Sequence, residues 1–378
     1  MNSRERLMAT LAGKPVDRPA VNFYEIGGFI INPSDPDPFN VYNAPSWQPL
    51  LRLAEEETDL IRMGRLKSLP SAARPVEVFQ RQEVYFENGS RLTKSTLETG
   101  GRTLTQLVRR DPDADTLWVV EHWLKDVEDL KAYLTLPDAF FEKDEVDIAS
   151  LERLDERVGE RGIVMVDTAD PICEVASLFD MATYTILAMT EPELMHRLLE
   201  RIAGPVQRRT EAVARDFPGH LWRVYGPEYA VEPYLPPHCF EEYVVRYTGP
   251  MVESIQRHGG YARIHSHGRV ARALPQIVAM GASATDPLEP PPQGNVHLAD
   301  VRREYGRDLV LFGNIEISDI ETLPPPRFRE VARRAVEDGT HGEGRGFVLM
   351  PTACPYGRVI PADTLTNYET LIEVVTQC

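Results

Sequence analysis

The run Ile264-His265-Ser266-His267-Gly268 carries the clearest chemical signal in the chain. It closes a strand pattern set by Tyr261 and Ile264, and a helical pattern starts near Val270. Side chains two apart on a strand share one face, so both imidazoles can address a single ion. Neutral imidazole is a good ligand for Zn²⁺. Taken alone, His-x-His fits equally well with two polar residues that hydrogen-bond the last carbonyls of a strand. The second signal is Phe347-Val348-Leu349-Met350-Pro351-Thr352-Ala353-Cys354-Pro355-Tyr356-Gly357, an apolar strand running into a loop that holds one cysteine. A lone cysteine is more often a small buried hydrophobe than a ligand, but Cys354 sits in a Pro/Gly-bounded loop beyond a strand end. Two imidazoles and one thiolate would make a centre with an open fourth position, the pattern of catalytic zinc. Glu228 follows a strand that ends near Tyr225. It is a candidate fourth ligand or general base, set against the blander reading of a solvated loop carboxylate. Cys173 reads as core, and Cys239 and Cys378 carry no expected role.

These residues need a scaffold that delivers several strand ends to one place. Asn2-Ser3-Arg4-Glu5 has the form of a capping box, and Leu7, Met8 and Leu11 give the short helix after it one apolar face. Strand patterns follow at Ala20–Ile26, Asp59–Met63, Gly162–Asp167, His220–Val224, Gly260–His265, Ser283–Pro287, Asp308–Gly313 and Gly346–Met350. Helical patterns separate most of them: Trp47–Glu57, Glu174–Thr190, Pro192–Asp216, His238–Arg257, Val270–Met280, Leu298–Tyr305, Phe328–Asp338 and Thr364–Thr376. Eight strands alternating with helices predict an α/β fold, a (β/α)8 TIM barrel, whose active face lies at the C-terminal strand ends. Gln82 to Arg109 breaks this rhythm with Thr, Val, Leu and Tyr between turn signals at Asn88-Gly89 and Gly100-Gly101. It predicts a small antiparallel β-meander, residues 82–109, inserted after the second strand. No linker divides the chain, so residues 1–378 are expected to form one barrel domain.

Composition narrows the function classes. An apolar fraction of 42% over 378 residues is ample for a large core. The formal charge of −17 argues against nucleic acid and anionic membranes as partners, and against a strongly anionic substrate. No apolar run is long enough for a membrane helix. The charged N-terminus and the four widely spaced cysteines fit a reducing cytoplasm.

The opening, Asn2–Leu7 through Gly13-Lys14-Pro15-Val16-Asp17-Arg18-Pro19, resembles that of the uroporphyrinogen decarboxylase superfamily. So do Ile264–Gly268, the following Asp286-Pro287-Leu288-Glu289-Pro290, Leu311-Phe312-Gly313-Asn314-Ile315, and the closing stretch from Cys354 to Val375. The similarity spans nearly the whole chain and is looser in the insertion. It implies a (β/α)8 barrel and two families of activity: tetrapyrrole decarboxylation, and zinc-dependent methyl transfer linked to a corrinoid. The methyltransferases carry a His-x-Cys pair on one strand end and a Cys in the last loop. By position, His265 matches the His, His267 replaces the first Cys, and Cys354 matches the second. The decarboxylases hold their polycarboxylate substrate with arginines after the first strand, yet no Arg or Lys lies between Arg18 and Arg52 here. The expectation is therefore a zinc-dependent methyltransferase acting between a small methylated or methoxylated substrate, or a thiol, and a corrinoid. The chain has no Asp-x-His-x-x-Gly cobalamin motif, so a partner protein would carry that corrinoid. A decarboxylase or a metal hydrolase acting on a small non-porphyrin substrate is the alternative.

Overall fold

The computed structural model describes residues 1–69 and 79–377, so Cys378 lies outside the described residues. The strands are β1 (Ala20–Val21), β2 (Leu60–Arg65), β3 (Gln80–Glu87), β4 (Ser90–Thr99), β5 (Arg102–Arg110), β6 (Leu117–Glu121), β7 (Gly162–Ala169), β8 (Leu221–Tyr225), β9 (Tyr261–His265), β10 (Ala284–Asp286), β11 (Val310–Ile315) and β12 (Phe347–Pro351). Eight of them form one parallel sheet in the order β1-β12-β11-β10-β9-β8-β7-β2. The two ends of that order meet through Asp59, just before β2. Its N–H donates to the Val21 carbonyl at 2.8 Å, and its carboxylate accepts from the Val21 N–H at 3.0 Å. The sheet thus curls into the expected α/β barrel.

Parallel strands covered on both faces read as nearly continuous apolar runs, and alternation then sorts their side chains. Ile163 and Met165 point inward with Ile61, Met63, Leu221, Phe312, Val348 and Met350. Val164 and Val166 point outward to the helical shell. Leu7 and Leu11 of the helix Ser3–Leu11 join the inner cluster and plug the N-terminal end. The capping box forms as expected, Asn2 accepting from the Glu5 N–H while Glu5 accepts from the Asn2 N–H. Among the described residues no helix is long and apolar enough to cross a membrane.

Three expectations need correction. The first strand stops at Val21 rather than Ile26, because the Asn22 side chain accepts from the Tyr24 N–H at 2.8 Å and Tyr24 turns to φ 58°. The helix expected over Glu174–Thr190 is two, Pro171–Ala176 and Met181–Thr190. Asp180 separates them by capping the second through the N–H groups of Ala182 and Thr183. The antiparallel insertion runs from Gln80 to Glu121 and has four strands in the order β3-β4-β5-β6. Its turns at Asn88-Gly89 and Gly100-Gly101 do place consecutive residues at positive φ, as two-residue hairpins demand. The strand β6 and the helices Val127–Tyr133, Asp138–Phe141 and Ile148–Val158 were not among the expected elements, although Leu151, Leu154 and Val158 give the last of them a helical period.

Asp59 is fully buried and receives Arg6 at 2.5 Å and Arg18 at 2.8 Å. Asp59→Ala leaves the buried Arg6 with one carboxylate fewer and opens the seam. It is expected to cost about 3–5 kcal/mol of stability, read as a lower midpoint in urea denaturation; a loss under 1 kcal/mol would show that the barrel closes without it.

Candidate functional site

The barrel mouth is built by register. In a parallel sheet, paired residues lie at one level, and Asp167 of β7 pairs with Arg223 of β8, which pairs with Arg263 of β9. One level higher, His265 pairs with Asp286 of β10. Arg223 grips Asp167 with two hydrogen bonds of 2.7 and 3.1 Å and also donates to the Tyr24 hydroxyl. The Tyr24 hydroxyl in turn lies 3.2 Å from His265 Nε2. His265 Nδ1 is 2.7 Å from Asp286 Oδ2, and Arg263 Nε is 3.0 Å from the other Asp286 oxygen. A continuous polar chain therefore crosses the mouth from Asp167 to Arg263. Burial holds Tyr24 well above its usual pKa despite the Arg223 charge, so it remains a neutral phenol. Burial opposes ionisation of Asp286, but Arg263 and His265 outweigh it and leave the carboxyl below its ordinary value.

The second histidine is served separately. His267 Nδ1 lies 2.8 Å from Glu289 Oε1, and the Gly268 N–H donates to Glu289 Oε2 at 2.6 Å. Burial pushes the His267 pKa down, but the Glu289 hydrogen bond and charge, helped by Glu228 and Asp286, leave it raised above 6.5. The two imidazole rings stand perpendicular with centroids 4.7 Å apart. A carboxylate behind each ring fixes its orientation and leaves the Nε2 edge as the reactive side.

Two further carboxylates face this region. Glu316, directly after β11, is only 6% exposed, and its Oε1 has no partner among the described residues. Burial, with Glu289 and Asp319 nearby, pushes its carboxyl up to about 7, while Thr352 and His267 act the other way. Glu228 sits in the turn Pro227–Ala230 with Oε2 buried and unpartnered among the described residues. That turn is reached through Gly226 at φ 116°, where a Cβ would run into Cys173 and Asp170. Glu228 is therefore not the solvated loop carboxylate of the blander reading.

Cys354 lies on the neighbouring loop after β12, its Sγ 3.6 Å from the Phe23 carbonyl. Burial, reinforced by the Glu25 charge, pushes this thiol well up, so it is protonated as it stands. The structure thus brings His265 and His267 together, with Glu228 near enough for its charge to act on His267. Among the described residues no three His, Cys, Asp or Glu side chains are gathered as a metal-holding group. Cys173 follows the buried Asp170 cap and lies against Gly226, within reach of the Glu228 and Asp167 charges, while Cys239 is buried. Tyr24, Arg223, Asp286, Glu289 and Glu316 escaped the sequence reading as site residues. Tyr24, Arg223 and Asp286 lie inside the strand patterns at Ala20–Ile26, His220–Val224 and Ser283–Pro287, whereas Glu289 and Glu316 follow one, and Asp286 and Glu289 also fall in a stretch that carries the family resemblance.

No curated protein sequence matches the chain significantly. Among solved structures, a methyltransferase from Methanosarcina mazei aligns over 100% of this chain and 99% of its own, with TM-score 0.62 and 16% identity. That likeness is one of fold. A chain from Listeria monocytogenes named as a vitamin-B12 independent methionine synthase aligns over 61% of this chain and 67% of its own. Its TM-score of 0.39 at 14% identity is too slight to carry an argument.

The site makes two measurable claims. Glu289→Gln removes the charge that helps raise His267 while keeping a carbonyl oxygen as acceptor, so its imidazole titration, followed by NMR in metal-free protein, is expected to shift to lower pH; an unmoved titration would refute the coupling. Glu316 titrates near 4.5 when free and near 7 in the fold, so the folded state holds the extra proton and stability falls as pH rises between those values. Glu316→Gln removes that slope. Its stability gain over wild type should be larger at about pH 8 than at about pH 5, by roughly 1–3 kcal/mol, measured by urea denaturation at both.

The family model for uroporphyrinogen decarboxylase (URO-D) matches residues 113–378, from the last part of the insertion through β7–β12 and every mouth residue except Tyr24 and Glu25, and the chain therefore belongs to that family.

Proposed function

We propose that this chain is a zinc-dependent methyltransferase of the URO-D family. It would move a methyl group between a small methylated or methoxylated substrate, or a thiol, and a corrinoid carried by a partner protein. The observation that carries the reading is the pair of imidazoles at the end of β9, each backed by its own carboxylate, Asp286 at 2.7 Å and Glu289 at 2.8 Å. Carboxylate-backed histidines are the usual setting of metal ligands. Zinc would be held by Nε2 of His265 and His267 with Cys354 as the third donor, a nitrogen and sulfur set of the type zinc prefers, once the three are drawn together, since they do not stand gathered among the described residues. The fit asks two things of the chain. His265 must exchange its Tyr24 hydrogen bond, and the Cys354 thiol must leave the Phe23 carbonyl and ionise beside a cation. Bound there, zinc would act as a Lewis acid towards a substrate heteroatom.

The chain's own groups define the rest. Arg223 and Arg263 hold Tyr24 and Asp286 in place and are themselves neutralised by Asp167 and Asp286. Glu316, with a carboxyl near neutrality, can hand a proton to an oxygen that leaves with its electron pair. The named fold neighbour is a methyltransferase from Methanosarcina mazei, which agrees with this direction. Decarboxylation of uroporphyrinogen fits poorly. A polycarboxylate would meet Glu25, Glu228, Glu289 and Glu316, while the mouth arginines are already paired and the loop after β1 carries no cation.

Purified protein is expected to hold about one zinc per chain, lost in His267→Ala and in Cys354→Ala by metal analysis. A spectrophotometric assay of Co(I) corrinoid becoming methyl-Co(III), across methyl ethers and thioethers with the cognate corrinoid protein, is expected to show turnover only with zinc-loaded wild type. Zinc-free wild type, or formation of coproporphyrinogen from uroporphyrinogen above background, would overturn the reading.

A further inference from the structure

Arg62 of β2 pairs with Glu55 at 2.6 Å, and Arg153 of the helix Ile148–Val158 pairs with Asp147 at 3.4 Å. Their neighbours Arg65, Lys67 and Arg157 make no ion pair among the described residues, and all three line one cleft of about 200 Å³. Among the described residues no Asp or Glu lines it. The chain nevertheless has 58 acidic residues against 41 basic ones, and Glu152 and Glu156 stand exposed on the same helix. The remaining wall is largely apolar, with Phe29, Met63, Leu151 and Leu154. Like charges gathered side by side repel one another, and an anion set among them turns that repulsion into attraction.

The cleft adjoins the rim of the mouth. Ile61 and Met63 of β2 point inward, and Arg65, two residues further on, continues that face. Arg65 pairs in register with Asp167, which pairs with Arg223, so it stands at the level where the mouth begins. Its guanidinium lies over the Phe29 ring, 4.5 Å from the centroid, which orients the planar group and leaves its N–H edge to an acceptor. In the sheet order β2 is three strands from β9, so at about 4.8 Å per strand roughly 14 Å of sheet separates Arg65 from His265. A guest held here by one end therefore extends across the mouth towards the histidines. A guanidinium matches a carboxylate in plane and spacing, and the apolar wall accepts the stem that carries it. Phosphate sites are commonly built on backbone N–H groups at a helix N-terminus, but the helix Ile148–Val158 has its own Asp147 as cap. The volume admits one carboxylated end and no tetrapyrrole.

We propose that the cleft of Arg65, Lys67 and Arg157 holds the carboxylate end of the substrate, a compound with one such group on an apolar stem. The assignment rests on the methyl-transfer reading for what happens at the other end, but its binding is measured apart from that chemistry. In the protein as purified, with isotope-labelled methionine methyl groups, Met63 on the cleft wall reports occupancy by NMR, its signal assigned with Met63→Leu. Hexanoate is expected to shift that signal saturably, and hexanamide, equal in length but uncharged, to bind about tenfold more weakly. Arg65→Gln and Arg157→Gln should each weaken hexanoate by about five- to tenfold with unchanged thermal melts. Arg333→Gln, at an exposed arginine on another helix, should leave it as in wild type. In the Co(I) assay a methyl ether bearing a carboxylate should be preferred to its amide, and Arg65→Gln should erase the preference. Hexanamide bound as tightly as hexanoate, a response unchanged in both variants, inorganic phosphate bound more tightly than hexanoate, or turnover indifferent to the carboxylate overturns the proposal. An intact hexanoate response, lost in the variants, with no methyl transfer to any compound supports the cleft and overturns the proposed reaction instead.

Discussion

The site depends on how the first and second strands are held together. The ladder from β1 round to β2 leaves one gap, and Asp59 spans it with its backbone N–H and its carboxylate. The same carboxylate takes both Arg6 and Arg18, so the closing group is a buried charge that must stay paired. Beyond that seam the chain turns at once, and the turn delivers two groups to the mouth. One is Tyr24, whose hydroxyl reaches His265 Nε2. The other is the Phe23 carbonyl, which lies against Cys354. A slip at Asp59 would move both, although Asp59 itself lies before β2, away from the site.

The mouth has an uneven charge plan. Its buried guanidinium groups, Arg223 and Arg263, are committed to Asp167 and Asp286 and act as struts. Among the described residues its unmatched groups are of both signs: Glu228 and Glu316 each keep a buried oxygen with no partner, and Arg263 keeps buried N–H groups without a hydrogen-bond acceptor. A buried, unsatisfied carboxylate oxygen is costly unless something positive or hydrogen-bond-donating meets it. At Glu228 and Glu316 the arrangement therefore suits a cation or a neutral donor. Close approach of neighbouring strand ends makes this crowding feasible. At Gly313, φ 141°, a Cβ would collide with the Pro287 carbonyl, just as one at Gly226 would meet Cys173. Side-chain-free positions let the loops after β8, β10 and β11 converge around His267.

Much of this was legible in the residues themselves. Alternation of short apolar runs with 3.6-period stretches named all eight barrel strands within a few positions, because parallel strands buried on both faces have little freedom of composition. The capping box at Asn2 and the paired positive-φ turns of the insertion were equally readable, since each depends on contacts within a few residues. The His265/His267 pair was readable too, because a period of two on a strand is a local rule.

What the tertiary structure alone decided is which distant residues those local signals meet. Asp286 and Glu289 lie 21 and 22 residues from the imidazoles they hold, and Tyr24 lies 241 from His265. No local pattern records such separations, since they follow from barrel register and from one turn after β1. The protonated state of Cys354 and the raised carboxyl of Glu316 were likewise invisible, because burial by surrounding loops sets both. Residue type and spacing determined the fold and its pair of histidines. Closure of the barrel, by bringing strand ends to one level, determined what surrounds them.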